Sequence, residues 1–238
     1  TPMDMTTDIG AGGNALPYRW RPMDFEYEGK KYTNERAIAT QQTGFWFVGQ
    51  ARGNYPDVIG GILWFGTDDA ATSYVTPIYS NTEKVPECFR QGNGNLLSYS
   101  ATSSFWINNR ISNACYRMYN IMAPYVRERI DKFENEQMEK VRQNDVKALE
   151  LFKKSMDSAE KVGKKKSLAY DVMTDTGASF AAVKRLLTSY SVKTAQDIFK
   201  QWQELEVTLT VKFIDGNVKA QNADGSFKHT DFSAGIPD

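Results

Sequence analysis

Two adjacent carboxylates are the first candidates for a catalytic role. Asp68 and Asp69 separate two apolar runs in the segment GGILWFGTDDAATSYVTPIY, residues 60–79. A pair of carboxylates could serve as an acid and a base. Neighbouring residues of a strand point to opposite faces, however, and carboxylates in a glycine-bounded turn commonly accept hydrogen bonds from the backbone. The pattern therefore favours a structural turn, with the acid–base pair as the alternative.

The candidate nucleophiles lack a base at a suitable place in the sequence. A cysteine attacks as its thiolate, which needs a base close by, and the single histidine, His229, lies in a polar tail far from Cys88 and Cys115. These two residues are therefore expected to be buried free thiols. Thr1 could use its own amine as the base, but it precedes Pro2 and a glycine-rich loop instead of heading a strand. We interpret it as a cut end.

Three larger side chains could bind a ligand near the predicted strands. Arg52, in FVGQARGNYP, could clamp a carboxylate through two hydrogen bonds or form an internal salt bridge. Trp64 and Trp106 could wall a binding pocket or fill the core. We take all three as substrate-binding candidates and keep both alternatives for each.

The composition argues against a nucleic-acid or membrane partner. Basic and acidic side chains number 29 each, so no net charge attracts nucleic acid or an anionic membrane. No run of about eighteen apolar residues is present. The two cysteines fit neither a disulfide framework nor a zinc spacing, and the glycine-rich GAGGN and GNGN lack the lysine and hydroxyl residue of a phosphate loop. We expect a soluble protein without a metal or cofactor.

The patterns predict an α+β fold in which strands come first. Turn signals punctuate short aromatic and β-branched runs from about residue 18 to 100, and FWFVGQA and IGGILWFG are the strongest of these runs. Because their apolar residues hardly alternate, we expect these strands to be buried on both faces or covered by helices. A helical layer follows over about residues 105–210.

Several helix boundaries are predicted within that layer. Pro124 is expected to start a helix, and Asn144 with Asp145 to cap the next one, which ends near Gly163. One later helix carries Phe180 to Leu187 and another carries Ile198 to Leu209. The alternation from Leu205 to Phe213 also fits a strand, but we favour helix to about Thr210. Residues 1–17 and 216–238 are expected to be irregular, within a single domain or fragment covering residues 1–238.

Three collinear segments resemble the dipeptidases of cysteine-peptidase family 69. They are YRWRPMDFEYEGKKYTNERAIATQQTGFWFVGQAR, YPDVIGGILWFGTDDAATSYVTPIY and SSFWINNRISNACYRMY, followed by LLTSYSVKTAQDIFKQWQELEVTL, which is similar to the C-terminal helices of that family. The similarity covers most of residues 18–216. No single segment is a strong motif, and it is their shared order that carries the resemblance.

The resemblance implies an N-terminal-nucleophile hydrolase, with a sheet sandwiched between helical layers. In that superfamily a cysteine exposed at the first position attacks the peptide carbonyl, and its free α-amine acts as the base. No cysteine lies near the start of this sequence. The resemblance therefore implies the C-terminal portion of a bacterial dipeptidase, without catalytic residues of its own, whose partners are a dipeptide and the N-terminal portion of the same polypeptide.

The resemblance also suggests substrate contacts. It implies that LWFGTDDAATSYVTPIY is a scaffold hairpin whose turn, with Asp69, faces the substrate groove, and it makes Asn113 a further substrate-binding candidate. The chain alone is expected to be inactive. The alternative is a non-catalytic interaction module that binds a partner through an aromatic sheet face. A second copy of the chain, in a homo-oligomer, is a further candidate partner. The alternatives for the location of the protein are the bacterial cytoplasm and the periplasm or export.

Overall fold

The computed structural model describes residues 25–32, 39, 42–161 and 180–228. Within these ranges the protein is a mixed α and β structure, in agreement with the predicted α+β class. The irregular segment expected at residues 1–17, the helix end expected near Gly163 and the tail residue His229 lie outside the described residues.

The described elements follow one another as strands, then helices, then two very short strands. In chain order they are β1 (Phe25–Tyr27), β2 (Lys30–Tyr32), β3 (Phe45–Ala51), α1 (Asp57–Gly60), β4 (Gly61–Thr67), β5 (Thr76–Tyr79), α2 (Ser104–Cys115), α3 (Tyr119–Lys161), α4 (Ala181–Phe213), β6 (Ala220–Gln221) and β7 (Phe227–Lys228). Single 3-10 turns cover Glu87–Phe89 and Ile214–Gly216.

The principal sheet has three antiparallel strands in the order β3-β4-β5. Its first pairing runs from Phe45 opposite Thr67 to Ala51 opposite Gly61, and its second from Ile62 opposite Tyr79 to Phe65 opposite Thr76. The predicted strand FWFVGQA and the hairpin carrying Asp68 and Asp69 in its connection are therefore confirmed.

Burial rises steeply across this sheet from β3 to β5. Strand β5 packs on α4 and is almost wholly buried, whereas Phe45, Phe47 and Val48 of β3 are 61%, 57% and 54% exposed. The expectation that both strong strands would be covered is wrong for β3. The reason is that, among the described residues, β3 pairs with a strand on one side only. An apolar run indicates a tendency to be buried but does not determine which neighbour buries it.

Helix α3 is a single helix of 43 residues, which corrects two predicted boundaries. It begins at Tyr119, so Pro124 lies in its second turn, where only one backbone hydrogen bond is lost. Asn144 and Asp145 lie well inside it and do not cap a new helix. Both side chains are buried, and Asp145 is held by tertiary partners that compete with capping.

Helix α4 joins the two helices predicted around Leu187 and Trp202 into one of 33 residues. It continues to Phe213, which confirms the helix over the competing strand interpretation of its last residues. A short β6–β7 ladder then interrupts the tail that the sequence predicted to be irregular.

Two apolar clusters hold these elements together. The larger joins α2, α3 and α4 and contains Tyr74, Cys88, Ile111, Cys115, Met122, Ile198, Trp202 and Leu209. The smaller joins the sheet to α3 and α4 through Val58, Ile59, Ile62, Tyr79, Val141, Val183 and Leu187. The sheet is thus covered on the side of β5 and opens toward β3, where a groove separates it from α3.

Candidate functional site

A groove of about 580 Å³ lies between the open side of the sheet and α3. Its volume falls in the range typical of small-ligand sites, which are mostly apolar with a few polar groups. Strands β3 and β4, the β4–β5 connection and α3 all contribute to it. The residues lining it are Val48, Gly49, Gln50, Arg52, Tyr55, Trp64, Val75, Glu134, Met138, Val141, Arg142 and Asp145.

One end of the groove is built on a buried ion pair between Arg52 and Asp145. The two side chains are 12% and 2% exposed, and Arg52 meets both carboxylate oxygens of Asp145, with 3.2 Å between Nη2 and Oδ1. Tyr79 donates its hydroxyl to Oδ1 over 2.8 Å. The carboxylate therefore has charged and neutral donors that offset the cost of burying it.

The remaining donors of Arg52 bind main-chain oxygens at the end of α1. Nη2 donates to the Ile59 carbonyl at 2.7 Å and Nε to the Gly60 carbonyl at 3.3 Å, while the guanidinium carbon lies 4.4 Å from the Tyr55 ring centre. Of the two alternatives for Arg52, the structure has the internal salt bridge. Arg52 thereby fixes the connection between β3 and β4 against α3.

Glu134 places a second carboxylate in the same groove, one that, in the described part of the chain, accepts a backbone hydrogen bond instead of forming an ion pair. Its Oε1 accepts the Val75 backbone N–H at 3.1 Å, and burial raises the pKa of the carboxyl above its usual range. Among the described residues no cation forms an ion pair with it: Arg127 pairs with Asp131 at 3.0 Å and Arg142 with Glu139 at 3.1 Å. The charge of Arg127 still lowers the pKa of Glu134, but by less than burial raises it. Glu134 is therefore a positioned acceptor whose charge has no partner in the described groove.

Trp64 supplies the largest apolar surface of the groove. The ring is half-buried, and its Nε1 donates to Gln50 Oε1 at 3.0 Å across the β3–β4 pair. That bond satisfies the polar edge of the indole and sets its orientation. Of the candidates inferred from sequence, the structure thus brings Arg52 and Trp64 together in the groove.

Asp69 lies instead in a buried polar cluster between the β4–β5 connection and α2. It has no exposed surface, and its Oδ1 accepts the Ala71 N–H at 3.0 Å while Oδ2 accepts the hydroxyls of Tyr116 and Ser112. Burial, and then the adjacent charge of Asp69, raises the pKa of Tyr116 and keeps its hydroxyl a donor. Asp69 acts here as the turn-capping carboxylate that the sequence favoured.

Asp68 is the less satisfied member of the pair. Its backbone has a φ of 68°, its Oδ1 accepts from Asn109 Nδ2 at 2.9 Å, and its buried Oδ2 has no hydrogen-bond partner. Burial raises the pKa of this carboxyl to about 6, although the Asn109 bond opposes the shift. The two carboxylates thus differ in environment and do not share one site.

The last two candidates lie on α2, away from the groove. Trp106 is half-buried, donates its Nε1 to the Ser98 carbonyl at 3.1 Å and packs edge-on against Tyr99. Asn113 is exposed and donates to the Asn109 carbonyl one turn earlier, at 2.8 Å. Trp106 therefore supports the 90–100 loop, and Asn113 lies on the outer face of α2.

Both cysteines of the chain are free and buried, as the sequence predicted. Burial is the main cause that raises the pKa of each thiol, Cys88 and Cys115, to about 12. A thiol with such a pKa is almost wholly protonated at neutral pH and is a poor nucleophile.

Two further observations bound the chemistry of the described ranges. No group of three or more histidine, cysteine, aspartate or glutamate side chains is arranged there to hold a metal ion. In the same ranges no helix has both the length and the apolar character required to cross a bilayer.

Sequence reasoning missed Glu134 and the groove role of Asp145. With Met138 and Val141 they follow one another at steps of four, three and four, which is one face of a helix. That spacing was visible in the charged run of α3, but the run looked like a solvated surface because charges surround it on every other face.

The comparisons with known proteins agree with these elements. The model of peptidase family C69 matches residues 17–132, just under half of the chain, and this range includes β3, β4, β5, α2 and the first turns of α3. No curated protein matches the chain. Residues 17–132 therefore form a region similar to peptidase family C69, and this match supports a cysteine-type peptide hydrolase.

Proposed function

We propose that the chain is the C-terminal portion of a cysteine dipeptidase whose nucleophile lies outside it. An N-terminal cysteine would attack the peptide carbonyl, with its own α-amine accepting the thiol proton. The peptide C–N bond would then break, and the leaving amine would take that proton from the α-amine and depart as the first product. Water would hydrolyse the thioester that remains, which releases the second product and restores the thiol. The described residues would supply part of the sheet, a helical layer and one wall of the substrate groove.

The state of the two thiols is the observation that carries this proposal. The family match supports a cysteine-type peptidase, which needs a reactive thiol. Both cysteines of this chain, however, are buried, with pKa values raised to about 12. A general base must lie within hydrogen-bond reach of the proton it takes. Cys88 donates only weakly to the Ala195 carbonyl, 3.8 Å away, which is not a base of that kind.

The open edge of β3 supports a covering segment supplied by the same polypeptide. Edge strands normally carry charges, prolines or bulges that prevent further pairing, but β3 exposes Phe45, Phe47 and Val48. We propose that the N-terminal portion of the polypeptide packs here and completes a sandwich typical of N-terminal-nucleophile hydrolases. The 238 residues would then belong to one domain with that portion.

The experiment compares cysteine variants in the full-length protein. Replacement of the first-position cysteine with alanine should lower kcat for dipeptides by at least about 10⁴-fold, because removal of a nucleophile leaves only binding and electrostatic effects. The matched variants Cys88→Ala and Cys115→Ala should keep kcat within about threefold when folded. The 238-residue chain alone should not hydrolyse dipeptides.

Two results would contradict the proposal. One is dipeptide hydrolysis by the 238-residue chain alone at the rate of the full-length protein. The other is a loss of activity in Cys88→Ala or Cys115→Ala at unchanged stability, which would place the nucleophile within this chain.

The exposed face of β3 also favours a second candidate, a non-catalytic interaction module. In that case the isolated chain should be a monomer with a cooperative thermal transition and little binding of a hydrophobic dye until its partner is added. A chain that lacks half of its packing should instead bind the dye strongly and melt over a broad range.

A further inference from the structure

We propose that the groove between the sheet and α3 binds a primary ammonium group, with the Glu134 carboxylate as its counter-ion and Trp64 beside the apolar part of the ligand. The chemical class, an amine that carries an apolar or aromatic group, follows from the groove itself. That this amine is the free N-terminus of a peptide substrate rests on the proposed function.

The position of Glu134 is set before any ligand binds. Helix α3 holds its backbone, and the Val75 N–H fixes Oε1 at 3.1 Å. A single backbone donor leaves the second carboxylate oxygen available, and a carboxylate can accept about four hydrogen bonds in all. An ammonium group, with three donors and no acceptor, is the complement of such a group.

The charges around the groove select a cation over an anion. Asp145 is neutralised by Arg52, and Arg142 by Glu139, so neither pair contributes a net charge. Among the charged described lining residues, Glu134 alone forms no ion pair, although the charge of Arg127, which pairs with Asp131, partly offsets its own. Burial raises the pKa of Glu134, and an ammonium beside it would act in the opposite direction, which means that binding the cation favours the carboxylate form.

The apolar lining defines the rest of the ligand. Val48, Val75, Met138 and the Trp64 ring line the same space of about 580 Å³. Because Trp64 Nε1 already donates to Gln50, the indole does not require an acceptor from the ligand. Its apolar surface is available for contact with the ligand. An ammonium beside an aromatic face also gains a cation–π attraction.

The test uses two ligands of the same size that cannot be hydrolysed, 2-phenylethylamine and 2-phenylethanol. Their binding to the full-length protein is measured by calorimetry at neutral pH. The amine should bind about tenfold or more tightly than the alcohol, as expected for one charge-assisted hydrogen bond. In Glu134→Gln, which keeps an acceptor for the Val75 N–H, the two ligands should bind within about twofold of each other.

Glu136→Gln is the matched control, because Glu136 lies two residues away on α3 and lines other grooves. It should keep the preference for the amine. The proposal is overturned if wild-type protein binds both ligands equally or binds neither, or if Glu134→Gln keeps the preference. If the wild-type full-length protein hydrolyses dipeptides but shows no preference for the amine, this subsite alone is contradicted. If it prefers the amine but does not hydrolyse dipeptides, the proposed function alone is contradicted.

Discussion

At the residue scale, three buried carboxylates have three different environments. Asp145 is paired with Arg52, Asp69 accepts hydrogen bonds from hydroxyls and a backbone N–H, and Asp68 keeps one buried oxygen without a partner. The cost of removing a neighbour should therefore differ among them. An ionised group that loses its counter-ion is the most expensive case, because the charge stays buried.

Removal of the guanidinium should be strongly destabilising. Arg52→Met leaves Asp145, 2% exposed, without its cation, and we expect a loss of about 3–5 kcal/mol in the free energy of unfolding, measured by urea denaturation. Arg142→Met removes a guanidinium from an exposed ion pair of α3 and should cost less than about 1 kcal/mol. Equal losses in the two variants would refute the role given to Arg52.

Asp68 should give the protein a measurable pH dependence. Its pKa is raised to about 6 in the folded state, so the folded protein binds the proton more tightly than the unfolded chain does. Relative to Asp68→Asn, wild type should therefore gain about 2–3 kcal/mol as the pH falls from 7.5 to about 4, and lose it as the pH rises through 6. Asparagine tolerates the positive φ at this position.

The measurement is urea denaturation of both proteins across that pH range. Other carboxyl groups contribute equally to the two curves and cancel in their difference. A constant difference between pH 4 and 7.5 would show that Asp68 titrates normally.

At the element scale, β3 and β4 pack closely at the end of β4, just before the buried connection to β5. A Cβ atom added to Gly66 would lie 2.5 Å from the Tyr74 carbonyl oxygen and 2.8 Å from Trp46 Nε1. The Trp46 ring cannot easily retreat, since its Nε1 is bonded to Ser73 Oγ at 2.8 Å. Glycine is therefore required here by close approach.

Gly66→Ala should lower the free energy of unfolding by about 1–3 kcal/mol through overpacking. Gly49→Ala is the matched control on the neighbouring strand, because a Cβ there meets no atom within 4 Å. That variant should be within about 0.5 kcal/mol of wild type or slightly more stable. Urea denaturation of both variants measures the two changes in the free energy of unfolding. A Gly66→Ala variant as stable as wild type would contradict the packing described for this hairpin.

At the scale of the whole molecule, the sheet is asymmetric. Strand β5 is buried against α4, whereas β3 presents apolar side chains and an unpaired edge within the described residues. Exposed apolar patches of this kind mark a surface that another chain segment covers. The proposal that the N-terminal portion of the polypeptide covers β3 can be tested by comparing one variant in two contexts.

Phe47→Lys places a charge at a position that is 57% exposed in this structure and lies outside the lining of the groove. In the 238-residue chain it should change the free energy of unfolding by less than about 0.5 kcal/mol and reduce the binding of a hydrophobic dye. In the full-length protein it should cost at least about 2 kcal/mol, because the charge would be buried. The same small effect in both proteins would mean that β3 stays uncovered.

Local pattern was sufficient for much of the fold. Strand β3, the β4–β5 hairpin and the helical end of α4 follow from the polarity of residues a few positions apart, which is the range over which backbone periodicity acts. The family resemblance rested on the same segments and agrees with the match over residues 17–132. Boundaries inside α3 failed because a proline and an Asn-Asp pair are local signals that packing overrode.

The groove could be decided only by tertiary structure. Arg52 and Asp145 lie 93 residues apart, and Val75 and Glu134 lie 59 apart. The sequence separation of such residues does not predict which of them will be in contact, because their pairing depends on how α3 packs across the sheet. Local sequence patterns were enough to predict the elements and the family resemblance, whereas the packing of α3 on the sheet pairs Asp145 with Arg52 and leaves Glu134 in the groove without an ion pair among the described residues.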